Sequence, residues 1–516
     1  MSRTRLVAHR GLHRERDGGP RENTLAAVLA ALDAGVTWVE IDVRVTADGH
    51  VVLLHDETLQ RLWGDPRRVA DLTLAQVLEL GGGDRRIPLL ADVLPAVAGT
   101  GGTLLIDMDD PEVAIPAAQV VAADTSGAAT AWCGHPGAMR HVREQDPGAA
   151  IWTPWYSTEP PRPADLAGVD LINAQHLLVG QAFVDAVHAH GVEVAVWTVD
   201  DAAQAAHLAA IGVDSITTNS PSVVRAALAS SEVDERSRQA AIALELAGHA
   251  AEATAQARRN GVGSVETKTG PADHVTEVDR KIERWVRAVL HAQFPDHGMV
   301  GEEYGGVDGG GRPCWYLDPI DGTANLANGF PWTSFSLALV DGGRPVVGVV
   351  LDPVGGSHED DGALPVPVLA VDGRGAWRGR EKLRTVPTAG EDPLSGALVI
   401  TELDGARGWS GLHTLLDALG ERDCTVRIPG SGTASLSGIA MGRGVAAIIH
   451  RYSPLDHAAA ALVVLEAGGT ILDGNGHPHR HPLGSAIVAG TDERTAMALW
   501  SQWQRALADD IASART

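Results

Sequence analysis

Trp315-Tyr316-Leu317-Asp318-Pro319-Ile320-Asp321-Gly322-Thr323 is an apolar run that ends in two carboxylates three positions apart, followed by Gly-Thr. The run reads as a strand, and Pro319 and Gly322 place the acids in the turn that closes it. The backbone N–H groups of Gly322 and Thr323 can meet a phosphate there. This is the layout of a metal-dependent phosphate-ester hydrolase.

Further acids flank the motif. Gly301-Glu302-Glu303 follows the apolar pair Met299-Val300, and Asp456 opens the alanine-rich run Asp456-His457-Ala458-Ala459-Ala460-Ala461. A helix start suits Asp456 either as an N-cap or as a metal ligand. Glu302, Asp318, Asp321 and Asp456 together favour clustered Mg²⁺, which clamps a phosphate, activates water and stabilises the leaving oxygen. Helices are expected over 236–259, 279–290 and 456–467, strands over 334–340 and 345–351, and loops rich in Gly and Pro over 355–367. Residues 233–516 therefore read as layered α/β structure.

The first 232 residues follow another pattern. Nine short β-rich runs, at 6–9, 38–45, 51–55, 103–107, 130–133, 150–153, 170–174, 193–199 and 215–218, alternate with Ala/Leu-rich helical segments. Such alternation predicts a parallel barrel or doubly wound sheet. A barrel needs eight strands, so one run is expected to be a hairpin or loop strand. Glu40 and Asp42 lie two apart on one strand and point to one face. Their mutual repulsion calls for a hard cation, Mg²⁺ or Ca²⁺. His9 and His55, each at a strand end, suit a general acid and base. Arg10 can grip a phosphate through two N–H groups. No repeat relates the two halves.

Of 516 residues, 44% are hydrophobic and 21% charged, and the net charge is −25. A globular chain with several domains is expected, without the basic surface that nucleic acid or anionic membrane requires. Small phosphorylated substrates remain compatible, because bound cations reverse the local sign. The three cysteines are too few and too scattered for a disulfide framework or zinc site, which fits a cytoplasmic protein. No leader of signal-peptide type and no membrane-spanning run is evident.

Residues 4–225 resemble the glycerophosphodiester phosphodiesterase family. The resemblance rests on His9-Arg10-Gly11, Glu22-Asn23-Thr24, Glu40-Ile41-Asp42, His55-Asp56, Val196-Trp197-Thr198-Val199 and Gly212-Val213-Asp214-Ser215-Ile216-Thr217-Thr218. It implies a TIM-type (β/α)8 barrel that cleaves glycerophosphodiesters to glycerol phosphate and an alcohol. His9 and His55 would be the acid/base pair, and Glu40, Asp42 and Asp107 the metal ligands. Asp107 stands where the family has a Glu, Asp109 where it has a Lys, and Asn219 where an Asp is common.

Residues 237–500 resemble the inositol monophosphatase family. The matching pieces are Asp273-His274-Val275-Thr276-Glu277-Val278-Asp279, Gly301-Glu302-Glu303, the 318–323 motif, Gly430-Ser431-Gly432-Thr433-Ala434, and Asp456 through Gly469. By this resemblance Glu302, Asp318, the Ile320 carbonyl, Asp321 and Asp456 hold Mg²⁺. Thr323 and Asp279 orient the attacking water, Gly322 and Lys268 assist with the phosphate, and the domain pairs into a homodimer. Leu455 replaces the family's Trp, and Ile449 replaces an acid that contacts inositol hydroxyls. The expectation is a bifunctional hydrolase acting on a phosphodiester, such as glycerophosphoinositol, and on a polyol or sugar phosphate. The alternative is a catalytic phosphatase joined to a barrel that binds or regulates.

Overall fold

The computed structural model describes residues 4–13, 19–230, 233–261, 265–267, 274–354, 364–405 and 407–513. Glu232, at the expected boundary, and Lys268 lie outside them. The chain divides into two compact units, 1–238 and 239–516.

In the first unit eight strands run parallel, in the order Ala129–Gly134, Thr103–Met108, Trp38–Val45, Arg5–Ala8, Ser215–Thr218, Glu193–Trp197, Leu171–Gln175 and Thr153–Trp155. Their Val/Ile/Leu-rich sequences suit strands covered on both faces. Val7, Leu105, Ala131, Cys133, Trp152, Leu171 and Ala195 fill the interior. The alternate residues, such as Val39, Ile41, Leu104 and Ile106, pack outward with helices Leu25–Asp33, Leu90–Val97 and Ala114–Ala123. The two end strands meet through a parallel bridge between Trp132 and Ile151. The Trp132 N–H donates to Ala150 at 2.9 Å, and the Trp152 N–H donates to Trp132 at 2.8 Å. The result is a nearly closed TIM-type barrel.

The ninth β-rich run, Val51–Leu53, lies antiparallel to Trp38–Val45. It is the arm of a hairpin, not a stave of the barrel. His55 accordingly does not end a barrel strand, as its sequence position had implied. The arm folds back along Trp38–Val45, and the Leu54 N–H donates to the Asp42 carbonyl at 3.0 Å, which returns His55 to the level of the strand acids.

The second unit stacks two sheets with helices. One sheet has eight strands and contains Cys314–Asp321, Ser334–Asp341 and Arg344–Asp352; the other has five. Helices Gly432–Ala440 and Pro454–Glu466 lie between the sheets, in a core shared by Ala338, Val350, Ile400 and Ala447. Strand Ala446–Ile449 shows the period-two logic: Ala447 and Ile449 face this middle layer. Ala446 and Ile448 face Leu412–Gly420 and Glu493–Ser513 on the far side. Of the loop expected over 355–367, residues 355–363 lie outside the described residues, and Val366 and Pro367 belong to strand Val366–Val371, which pairs with Arg344–Asp352. Pro367 is tolerated near that strand's start. Among the described residues no helix is long and apolar enough to cross a membrane.

Candidate functional site

Neighbouring barrel strands place the first set of acids. Asp42 is the register partner of Asp107, and Glu40 points to the same face as Asp42 from two residues earlier. Burial, with Asp42 and Asp107 adding, pushes the Glu40 carboxyl well above its ordinary value. Burial, then Asp42 and Asp109, pushes Asp107 up to about 7. Glu40 Oε1 is buried and has no hydrogen-bond partner among the described residues. An orphaned oxygen among acids that resist ionisation is what a hard cation would relieve, so an oxygen-only set of Glu40, Asp42 and Asp107 fits Mg²⁺ or Ca²⁺.

Arginines moderate this cluster. The Arg10 N–H donates to Glu40 Oε2 at 2.8 Å, and its guanidinium reaches Glu22 at 2.9 Å and Asp42 at 3.2 Å. Asn23 Nδ2 donates to Asp42 Oδ2 at 2.7 Å, and the Asp42 N–H returns to Asn23 Oδ1 at 3.0 Å. Arg61 joins Glu22 to Asp56, each at 2.6 Å. Arg44 donates twice to the His55 carbonyl, at 2.9 and 2.6 Å, and once to Asp109 at 3.0 Å. Asp109, the carboxylate found where the resemblance expects a lysine, is thus paired at the mouth.

The two histidines have unlike partners. His9 Nδ1 is 2.7 Å from Asn219 Oδ1. Asn219 Nδ2 is committed to Asp200 at 2.8 Å, so its oxygen faces His9 and assigns the proton to Nδ1. His9 Nε2, 3.9 Å from Glu40, is left as an acceptor. Burial, followed by Arg10, lowers the His9 pKa. His55 Nδ1 instead faces the Asp56 carboxylate at 2.7 Å, which orients the ring.

In the second unit the quoted motif ends strand Cys314–Asp321, where the pairing with Ser334–Asp341 shifts register between Asp318 and Asp321. That irregularity turns both acids toward one side. The Ile320 N–H donates to Asp318 Oδ1 at 2.9 Å. Burial, then Glu302, Asp456 and Asp321, raises Asp318 well above its ordinary value. Asp321 is raised by burial against the pull of donors from Thr433 and Ser431. The acids of 302, 318, 321 and 456 are therefore brought together. An all-oxygen set in which burial and neighbouring acids raise Asp318 and Asp321 fits Mg²⁺. Among the described residues no group of three or more His, Cys, Asp or Glu side chains is placed so that it could hold a metal ion as the side chains stand.

Gly322 turns with φ +90°, and a Cβ there would lie 2.8 Å from the Trp332 carbonyl, so only glycine fits. Thr323 follows, its hydroxyl 3.1 Å from Asp279 Oδ1 and 2.9 Å from the Ile320 carbonyl. Burial raises the Asp279 pKa, opposed by hydrogen bonds from Thr276. Asp456 is not the helix cap: Ser453 takes that position ahead of Pro454–Glu466, and Asp456 lies in the helix's first turn.

Some residues at the sites carry no local sequence signal. Glu402 is buried beside the Gly430–Thr433 turn and accepts from Gly430, Ser431 and Ser435. Glu283, fully buried, accepts the N–H groups of Glu303 and Tyr304 at 2.7 and 3.1 Å and shapes the turn that carries Glu302. Arg61 and Arg44 belong to the same class in the barrel.

The pattern of the inositol monophosphatase family matches residues 235–508. That of the glycerophosphoryl diester phosphodiesterase family matches residues 9–223. The fructose-1,6-bisphosphatase/inositol-1-monophosphatase of Thermotoga maritima is 32% identical over 216 residues, 42% of this chain and 77% of that protein. Inositol monophosphatase 1 of Bos taurus is 30% identical over 246 residues, 46% of this chain and 83% of that protein. A structure of an Oleispira antarctica phosphodiesterase in complex with the product sn-glycerol-3-phosphate covers 44% of this chain and 97% of its own, with 22% identity and a TM-score of 0.40. The chain belongs to the inositol monophosphatase family through its C-terminal half and carries a barrel of the glycerophosphoryl diester phosphodiesterase family in its N-terminal half.

Proposed function

We propose that both halves are catalytic: the barrel cleaves a glycerophosphodiester and the C-terminal domain removes phosphate from a polyol or sugar monoester. Both families are hydrolases, so phosphodiesterase and phosphatase activities are the supported classes. The observation that carries the pairing is that each half gathers an all-oxygen acid set beside groups able to move protons.

In the barrel, His9 with a free Nε2 is the general base, and His55, oriented by Asp56, is the general acid. Arg10 and the Arg10–Glu22–Arg61 chain hold the phosphate end of the substrate. Divalent cation on Glu40, Asp42 and Asp107 would supply charge neutralisation of the diester oxygens. In the C-terminal domain the Thr323 hydroxyl, once donated to Asp279, has its oxygen free to accept from water and aim it. Asp279 takes the proton released. Gly322 and Thr323 offer N–H groups to the phosphate. Mg²⁺ on Glu302, Asp318, Asp321, Asp456 and the Ile320 carbonyl would lower the pKa of the attacking water and stabilise the leaving oxygen.

Glycerophosphoinositol is the substrate that would join the two steps through inositol phosphate, provided the barrel breaks the ester bond on the glycerol side. That is opposite to the cleavage to glycerol phosphate that the first resemblance implies; on that habitual cleavage glycerol phosphate is released instead. The three cysteines are free, two of them buried, which supports a cytoplasmic setting. Dimerisation through the C-terminal domain belongs to the same reading. Phosphorus NMR with glycerophosphoinositol and Mg²⁺ tests it. Inositol phosphate accumulating in Asp318→Asn, with free phosphate in the wild type, supports one pathway. An intact diester in both sinks the barrel's part. Activity unchanged in His9→Ala and His55→Ala would reduce the barrel to a binding module.

A further inference from the structure

Glu402 follows strand Leu398–Thr401 and is 8% exposed. No arginine, lysine or histidine pairs with it among the described residues. Its carboxylate instead accepts from the Gly430 N–H at 2.9 Å, the Ser431 N–H at 3.4 Å and the Ser435 hydroxyl at 2.5 Å. Three donors aimed at one buried carboxylate from a single turn and the helix behind it fix the shape of that turn.

The same turn touches two acids of the cluster. Ser431 shares its groups: the N–H goes to Glu402, while the hydroxyl donates to Asp321 Oδ2 at 2.8 Å. The Thr433 N–H donates to the same Asp321 oxygen at 2.6 Å, and the Thr433 hydroxyl donates to the Asp456 carbonyl at 2.6 Å. Asn325 Nδ2 pins the turn's entry through the Pro429 carbonyl at 2.9 Å. Its far side has no slack, since a Cβ on Gly432 would come within 2.4 Å of His457 Nε2.

We infer that Glu402 is a positioning residue for Asp321: it holds the Gly430–Thr433 turn so that Ser431 and Thr433 orient that carboxylate, and so sets the affinity of the C-terminal site for divalent cation. The inference rests on the phosphatase reading only in taking Asp321 as a cation ligand. Replacing Glu402 by Gln keeps size but turns an amide NH₂ toward backbone N–H groups, and donor against donor displaces the turn. It also removes a negative charge near Asp321. Both effects weaken cation binding.

The test is calorimetric titration of the full chain with Mn²⁺. Asp318→Asn identifies the component that belongs to this site. In Glu402→Gln the dissociation constant of that component is expected to rise about tenfold, the scale on which partners behind metal ligands act. Turnover at saturating Mn²⁺ is expected to stay within about threefold of wild type, because the reacting groups are untouched. Ser435→Ala keeps the charge but removes one donor, and is expected to raise the constant by about threefold, a fraction of the same effect. A folded Glu402→Gln with wild-type Mn²⁺ affinity overturns the inference, as does a fall in turnover without a change in affinity. Should Glu402→Gln not fold, an unchanged constant in Ser435→Ala overturns it, and a raised one supports it. A wild type that binds Mn²⁺ here but hydrolyses no monoester removes the phosphatase reading and leaves the affinity comparison standing.

Discussion

The two acid clusters handle their charge differently. In the barrel several acids at the mouth are paired with arginine, Arg10 with Glu22 and Asp42, Arg61 with Glu22 and Asp56, Arg44 with Asp109, while Glu40 and Asp107 form no arginine ion pair among the described residues. In the C-terminal domain Asp318 and Asp321 form no ion pair among the described residues and are met by backbone N–H groups and hydroxyls. A guanidinium stays when a cation leaves, whereas a neutral dipole removes no charge. The barrel therefore offsets part of its charge with fixed guanidinium groups and leaves Glu40 and Asp107 uncompensated, whereas Asp318 and Asp321 meet dipoles alone.

The sharpest break of that contrast is Asp318→Asn. Phosphate release is expected to fall about a thousandfold, close to 4 kcal/mol in transition-state terms, with diester cleavage unchanged. A parallel loss of diester cleavage in the same NMR assay would show that the halves do not work separately. His55→Ala is expected to lower diester cleavage by about a hundredfold, the scale of a positioned general acid, and to leave monoester hydrolysis alone. Arg10→Ala tests the arginines' share of the barrel's charge balance directly. Removing one member of a largely buried pair should cost about 3 kcal/mol in urea unfolding, and added Mg²⁺ should restore part of it. No cost would mean that the arginines do not carry the charge balance.

A pH series gives a smaller effect. Burial, followed by His479, holds the His481 pKa down to about 4, and its Nδ1 lies 2.6 Å from the Tyr452 hydroxyl. Its folded pKa lies below its unfolded one, so its contribution is complete above about pH 6.5. It is lost as pH falls toward 4, with a slope of at most about 1.4 kcal/mol per pH unit. His481→Gln should flatten the urea midpoint over that window. The smallest change is expected from Asp109→Asn. That side chain is 59% exposed, and its pair with Arg44 should be worth less than about 1 kcal/mol. Diester turnover should move by no more than a few-fold.

Much of the fold was legible because periodicity is local. The barrel strands 38–45 and 215–218 coincide with their β-rich runs, and the surplus run became the hairpin arm Val51–Leu53. Helices Leu90–Val97 and Ala114–Ala123 form although they carry Pro95 and Pro116, residues that ordinarily interrupt a helix. Pro116 sits in a first turn, where no N–H is needed, and Leu90, Val93, Leu94 and Val97 bury enough apolar surface to hold the other helix. The acids of 318–323 were legible because they are adjacent in sequence. Glu402 was not, because what distinguishes it is burial beside a turn some thirty residues later, which no spacing rule encodes. Ser453 rather than Asp456 caps its helix because Pro454 fixes the first helical position.

The closing bridge between Trp132 and Ile151 has a further consequence. Strand Ala129–Gly134, on one side of that seam, also holds Cys133 in register with Asp107. Whatever compensates Asp107 therefore tightens the strand bordering the barrel's weakest junction. On the function proposed above, a divalent cation held at Asp107 would stabilise that side of the seam as well as serve the reaction.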